Sequence, residues 1–314
     1  LRMTSWVTDT GEVVREESPL GLITVRESPE RAQSLSVSGS VQADLLQTAA
    51  VVPEGLPQRI DEARDVQLLR LRLDGADLSG ADLQGAGQAV DGTTIEIRDF
   101  RSLQAGSADP DARRFLEPEP LIESDDPEII AEAARAVQGV TGQRARAERL
   151  VRYVNALLDK KPTISIPSAR EVLRTRVGDC NEHTALYVAM ARALGIPARI
   201  AVGLVYVRGV QGAFYYHAWP EVYLEESGGR GLWLPVDPTL NQFPADATHV
   251  RLARGGLDKQ LVILPLIGRL RMTVLDLELA PESVPILVGR PTRDLSPITF
   301  ALPRRPSLGC WATP

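Results

Sequence analysis

The sequence predicts an α+β protein, and three changes in its apolar pattern support that prediction. Apolar residues alternate with period two in several segments of residues 1–120, recur at helical spacing between about residues 126 and 195, and return to period two from residue 199. We therefore expect a β-rich, sandwich-like N-terminal domain over residues 1–120 and a core of helices packed on an antiparallel sheet over residues 121–255. C-terminal strands and a tail are expected over residues 256–314.

Composition limits the class of protein. The 314 residues are 44% hydrophobic, which is enough for a sizeable core, and the net charge of −6 argues against a nucleic-acid partner, which needs a basic face. No run of about 18 apolar residues occurs, so no transmembrane segment is expected. Because the chain begins Leu1-Arg2-Met3, an upstream signal or anchor is expected to have been removed. An extracytoplasmic location (secreted, periplasmic or anchored) is favoured over a cytoplasmic one.

The N-terminal region shows strand patterns. Residues 4–14 have the form of a hairpin with an Asp-Thr-Gly turn, and residues 20–25 read as a further strand. Residues 67–73 and 93–98 alternate clearly. Between them, residues 75–85 repeat Ala-Asp-Leu twice, which is too few copies for a repeat solenoid, so a loop or short strand is expected.

Turn and linker residues at 105–120 mark the predicted domain boundary, and helices follow. Pro127 opens the first helix, a second is predicted over residues 143–159, and a short third one begins at Ser168. These three helices are expected to converge on the next one.

Cys180 begins that next helix. Asp179 occupies the N-cap position and Glu182 completes a capping-box pattern, while Gly195 ends the helix. A thiol at a helix N-terminus faces the positive end of the macrodipole, which favours the reactive thiolate. Cys180 is thus a candidate nucleophile, although a small apolar cysteine that only packs the helix start is an equally simple interpretation.

Strands predicted over residues 199–207, 213–225 and 231–237 form an antiparallel meander. His217 and Trp219 share one face of the second strand, and Asp237 ends the third, so adjacent strands can bring His217 and Asp237 within hydrogen-bonding reach. A thiol needs a base, and the base needs an acceptor that orients it. Each residue also has a structural interpretation, as a core histidine, a strand-end cap or a packing aromatic.

Two other histidines offer alternatives to His217. His183 lies on nearly the same side of the helix as Cys180, but no orienting carboxylate is evident for it. His249 is expected to lie exposed in a loop. A metal site built from Cys180, His183 and His217 is disfavoured because the spacing is a weak zinc signal, so we expect no metal and no cofactor. A disulfide between Cys180 and Cys310 is also disfavoured, since it would consume the nucleophile.

Three separated motifs, in order, carry a family resemblance. They are Gly178-Asp179-Cys180 with residues 192–199, His217-Ala218-Trp219, and residues 233–239. Over roughly residues 125–245 the chain resembles the transglutaminase-like superfamily of papain-type thiol enzymes. The resemblance implies a papain/transglutaminase-like core and a triad of Cys180, His217 and Asp237. It also implies that Trp219 and Trp233 lie around the triad, where we expect them to contact substrate.

The expected function is that of a cysteine peptidase or amidase that acts on a peptide or protein substrate through a thioacyl-enzyme. The backbone N–H of Cys180 is one expected oxyanion donor. Transfer of the acyl group to an amine, as in protein cross-linking, is an alternative, and so is a peptide-binding module without turnover. Beyond the core, residues 260–267 and 271–279 are predicted to form paired strands.

Overall fold

The structure is a computed structural model that describes residues 4–17, 23–28, 50–57, 59–161, 168–209, 212–255 and 261–281. Contacts divide the chain into a compact unit Leu1–Ala280 and a second unit Pro281–Pro314. The predicted tail, including Cys310, lies outside the described residues. The predicted division of the chain at about residues 120 and 255 stays a prediction.

The fold is α+β, as the sequence predicts, and its helices lie along the chain between the short strand Gly106–Ser107 and the other four strands of the central sheet. The described residues contain four α-helices: α1 (Pro127–Ala136), α2 (Gln143–Leu157), α3 (Ala169–Thr175) and α4 (Cys180–Ala193). Asp126 caps α1 by accepting hydrogen bonds from the backbone N–H groups of Glu128 and Ile129, with proline in the first turn. Helix α4 packs against the other three helices.

The central sheet has five strands. In chain order they are β7 (Gly106–Ser107), β10 (Ala198–Val207), β11 (Ala213–Glu226), β12 (Arg230–Pro235) and β13 (Val250–Arg254). Their spatial order is β13-β10-β11-β12-β7, and all neighbouring pairs are antiparallel. The meander β10–β12 is therefore present as predicted. A two-stranded parallel ribbon, β8 (Asp159–Lys160) with β9 (Val177–Gly178), precedes α4.

Alternate residues of the meander meet the helices in one apolar cluster. Ala198, Ile200 and Val202 of β10 and Ala218 and Val222 of β11 share this cluster with the buried side of α4. This follows from the period-two pattern of a strand whose one face is covered. Two polar contacts add to it: the Thr184 hydroxyl of α4 donates to the carbonyl of Ala218 at 3.1 Å, and the Tyr187 hydroxyl donates to the carbonyl of Ala147 in α2 at 3.0 Å.

The N-terminal region is β-rich. One sheet contains β1 (Thr4–Val7), β2 (Val13–Glu17) and β3 (Ile23–Val25), so the predicted hairpin is confirmed. A second sheet contains β4 (Val66–Asp74), β5 (Gln88–Asp91), β6 (Thr94–Arg98) and β14 (Arg271–Leu279), in the order β14-β4-β6-β5. The Ala-Asp-Leu segment between β4 and β5 is a loop.

A second apolar cluster joins this four-stranded sheet to the far end of the central sheet. It includes Leu69 and Leu71 of β4, Leu204 of β10, Phe214 of β11 and Val250 of β13. The four-stranded sheet and the central sheet therefore share a core within Leu1–Ala280.

Two sequence-based predictions about the C-terminal part were wrong. The apolar run at 260–267 is not a strand where it is described, since Leu261–Leu266 forms a 3-10 helix that contains Pro265. Proline has no N–H for a strand ladder, which disfavours that assignment. Strand β14 forms as predicted but pairs with β4 rather than with this segment. Strand β13 was not predicted.

Candidate active site

Cys180 is the first residue of α4, and the residues around it hold the helix start in one conformation. The Asp179 carboxylate accepts a hydrogen bond from the Asn181 backbone N–H at 3.1 Å, and the Glu182 carboxylate accepts one from the Asp179 backbone N–H at 3.0 Å. The predicted capping box is thus present. A Cβ on Gly178 would lie 2.2 Å from the Glu182 Cβ, so only glycine leaves room for it. Cys180 itself is partly exposed.

His217 and Asp237 are in direct contact. The His217 Nε2 lies 2.7 Å from the Asp237 Oδ2. The Cys180 side chain lies close enough to His217 to raise the pKa of the imidazole. Because Nε2 faces the carboxylate, Nδ1 is the ring nitrogen left for the thiol. The structure therefore places the three predicted triad residues beside one another.

The loop after β12 fixes the Asp237 carboxylate. Asp237 is fully buried, and its Oδ1 accepts a hydrogen bond from the Leu240 backbone N–H at 2.8 Å. The Asn155 side chain of α2 donates to the carbonyls of Pro238 and Thr239 at 2.8 and 3.0 Å. Helix α2 thereby anchors the segment that carries the carboxylate, a role that the sequence did not indicate.

The charges of the site are coupled. Burial alone would lower the pKa of His217, but the Asp237 carboxylate and the Cys180 side chain raise it to about 10. Burial would conversely raise the pKa of Asp237, but His217 and His249 hold it well below its usual range. At neutral pH the geometry therefore favours an imidazolium at His217 and a carboxylate at Asp237.

His249 is a fourth member of this site; it lies in a loop as predicted, but the prediction that it is exposed was wrong. It is fully buried just before β13, and its Nε2 lies 3.1 Å from the same Asp237 Oδ2 that His217 contacts. Its Nδ1 lies 3.0 Å from the Asp246 backbone carbonyl and 3.2 Å from the Asp246 Oδ1. The apolar alternation of Val250 and Leu252 could have shown that His249 precedes a buried strand.

His183, the alternative base, is held differently. Its Nδ1 lies 2.6 Å from the backbone carbonyl of Asp179, which can only accept, so Nδ1 carries the proton. Its Nε2 is buried and has no hydrogen-bond partner among the described residues. Burial lowers the pKa of His183. His183 is therefore a neutral histidine at neutral pH, fixed to its own helix.

The two predicted substrate-contacting tryptophans lie in different places. Trp219 is buried against the site, with its ring centroid 6.1 Å from that of His217 and 5.1 Å from that of His249. Trp233 contacts the Arg199 guanidinium, at 3.7 Å from its ring centroid, and donates from its indole nitrogen to Asp109 at 2.8 Å. These contacts place Trp233 in a separate cluster. A role of either residue in substrate binding stays a prediction.

Potential metal-ligating atoms also meet here. In the described part of the chain, His217, Asp237 and His249 offer one ligand atom each, all within 4.8 Å of one another. This is a different set from the Cys180, His183 and His217 that the sequence suggested. Hydrogen bonds account for the three atoms, since each Nε2 lies at hydrogen-bond distance from the Asp237 Oδ2.

The comparison with family models agrees with the sequence motifs. Residues 131–238 match the family model of the transglutaminase-like superfamily. Similar solved structures include a candidate cysteine protease from Cytophaga hutchinsonii, at 19% identity over 69% of this chain and 81% of that chain, with a TM-score of 0.42. Another is the periplasmic domain of TgpA from Pseudomonas aeruginosa bound to ethylmercury, at 15% identity over 64% of this chain and 95% of that chain, with a TM-score of 0.39. No curated protein matches the chain.

The family match and the cysteine-centred site define a class, that of thiol enzymes. Residues 131–238 belong to the transglutaminase-like superfamily. In the described residues, no helix is long and apolar enough to cross a membrane.

Proposed function

We propose that the protein is a cysteine peptidase or amidase that cleaves an amide bond of a peptide or protein substrate through a thioacyl-enzyme. The observation that supports this most directly is that His217, which lies beside Cys180, hydrogen-bonds to the buried Asp237 at 2.7 Å. Each member has the chemical type that nucleophilic catalysis requires: a partly exposed thiol, a base beside it, and an acceptor that fixes the base.

In the first half-reaction the Cys180 thiolate attacks the carbonyl carbon of the scissile amide. The backbone N–H of Cys180, at the positive end of α4, is the proposed donor to the oxyanion. His217 donates the proton on Nδ1 to the leaving amine nitrogen as the C–N bond breaks. The product of this step is a thioester between Cys180 and the acyl part of the substrate, plus the free amine.

In the second half-reaction a water molecule gives a proton to the neutral Nδ1 of His217 and attacks the thioester carbonyl. Collapse of the tetrahedral intermediate breaks the C–S bond and releases the carboxylic acid and the thiolate. Asp237 stays ionised throughout, because it accepts hydrogen bonds from Leu240 and from two imidazoles. Its role is to hold the ring of His217 with Nδ1 toward the sulfur.

The proposal is tested with a library of peptides incubated with the wild-type protein, once alone and once with an excess of a fluorescent primary amine. Mass spectrometry then detects new peptide termini and amine adducts. We expect new termini and free carboxylic acids in both samples, and neither product with Cys180→Ala.

Other outcomes identify the alternative functions. Amine adducts in place of free acids would show acyl transfer. Peptides that bind equally well to wild type and Cys180→Ala, without any cleavage, would show a binding module and would contradict the proposal.

A further inference from the structure

His249 lies between two carboxylates in the buried part of the site. Its Nε2 meets Asp237 at 3.1 Å, and its Nδ1 meets Asp246 at 3.2 Å. None of the three side chains has more than 5% of its surface exposed, so water does not screen these contacts.

The hydrogen bonds around Asp246 show that it is an acceptor. The Thr248 backbone N–H and hydroxyl donate to Oδ1 at 2.9 and 2.6 Å, and the Gln242 side-chain amide donates to Oδ2 at 2.7 Å. The backbone carbonyl of Asp246, 3.0 Å from the His249 Nδ1, can also only accept. Nδ1 of His249 therefore faces acceptors alone.

The other ring nitrogen of His249, Nε2, also faces a hydrogen-bond acceptor. The Asp237 Oδ2 is ionised and is already the acceptor for His217 Nε2. An imidazole nitrogen without a proton would place its lone pair against a carboxylate oxygen, which is repulsive. Both nitrogens of His249 must therefore carry protons to satisfy the contacts that surround them.

We propose that His249 is a charged imidazolium at neutral pH and acts as a positioning residue for the triad, because it holds the Asp237 carboxylate and offsets part of its charge. This inference rests on the proposed function, since it assigns a second histidine to the same site. The charges then alternate along Cys180, His217, Asp237, His249 and Asp246. The ring centroids of His217 and His249 are 6.0 Å apart, close enough for one charge to act on the other.

His249 thus limits how strongly Asp237 can raise the proton affinity of His217. The charged groups that act on it from the surrounding elements are Asp237 and Asp246 from the loop before β13 and His217 from β11. Arg101, next to β6, interacts weakly with the charge of Asp246. The two carboxylates raise the pKa of His249 to about 9 against the effect of burial.

The test is nitrogen-detected NMR of the histidine rings in the wild type and in His249→Gln, over a range of pH. The three histidines can be assigned with His183→Gln. We expect both His249 nitrogens to be protonated at neutral pH. In His249→Gln the loss of a cation about 6 Å away moves the titration of His217 upward by about one pH unit, even with screening by the protein.

A matched control separates charge from packing. Val250→Ala removes apolar volume from the adjacent, equally buried position. It should lower the Tm but leave the pKa of His217 unchanged. An unprotonated ring nitrogen on His249 at neutral pH would overturn the inference. So would an unchanged pKa of His217 in His249→Gln. These readouts need no substrate, whereas an absence of peptide cleavage would count against the proposed function instead.

Discussion

At the residue scale, the buried Asp237 explains why the other polar groups of the site are where they are. A carboxylate that is fully buried is costly unless donors surround it, and removing one partner of such a group typically costs about 3–5 kcal/mol. Here the donors are the Leu240 backbone and two imidazoles. His217 is held in one orientation as a consequence, which is what the proposed base beside Cys180 requires.

The two charged histidines make stability depend on pH in a definite direction. The pKa values of His217 and His249 rise from 6.5 to about 10 and about 9 on folding, so the folded state binds more protons than the unfolded state between these limits. Their contribution is therefore fully present below about pH 6.5 and is lost as the pH rises through about 9 to 10. Each histidine can change the free energy of unfolding by at most about 1.4 kcal/mol per pH unit.

Urea unfolding between pH 6 and pH 10 measures this loss. The double variant His217→Gln with His249→Gln should show a much flatter dependence in that range. His183 makes stability change with pH in the opposite direction, because burial lowers its pKa. Its contribution to the pH dependence of stability is confined to pH values below about 6.5. An equally steep decline in the double variant would show that other groups cause it.

At the element scale, the start of α4 is the feature that positions the proposed nucleophile. The capping box fixes the first turn, and Gly178 permits Glu182 to fold back over the chain. Capping interactions of this kind contribute about 1 kcal/mol each, and they also set where the first helical residue points. That residue is Cys180.

Gly178→Ala tests this feature. We expect it to displace Glu182 and to lower the reaction rate of Cys180 with an alkylating agent by at least about tenfold, because a displaced first turn moves the thiol from His217. Gly106→Ala is the control, since a Cβ there would meet no atom within 4 Å. Equal alkylation rates in the two variants would mean that the capping box does not position the thiol.

At the scale of the whole molecule, the site lies where several distant segments meet. Asn155 of α2 anchors the loop that carries Asp237, and Gln88 of β5 holds the backbone of Arg251 in β13 through two hydrogen bonds of 2.9 and 2.8 Å. Arg251 in turn donates to the buried Glu221 of β11 at 2.9 Å. The sheet that contains β5 thus helps to hold β13, the edge strand of the central sheet that follows His249.

The parts of the fold that local patterns encode could be predicted from the sequence. The caps and apolar spacing indicated the helix that starts at Cys180, and the alternation around His217 indicated its strand. The contact between His217 and Asp237 follows from neighbouring strands, so it could be expected as well.

Contacts that depend on long-range pairing could not be predicted in this way. The loop from Asp237 to His249 folds back on itself through Gln242 and Asp246, and only that return buries His249 against the carboxylate. The pairing of β14 with β4, and of β7 with β12, likewise joins segments that no local pattern connects.

The central claim, that His217 activates the Cys180 thiol, is tested most directly by the rate of Cys180 alkylation by iodoacetamide as a function of pH. A Cys310→Ser background leaves Cys180 as the sole thiol. We expect the wild type to react rapidly at neutral pH, because an adjacent imidazolium and the start of a helix favour the reactive thiolate. In His217→Ala the rate at neutral pH should fall by at least about tenfold, while His183→Gln behaves as the wild type. Equal rates in the wild type and a folded His217→Ala would contradict the claim.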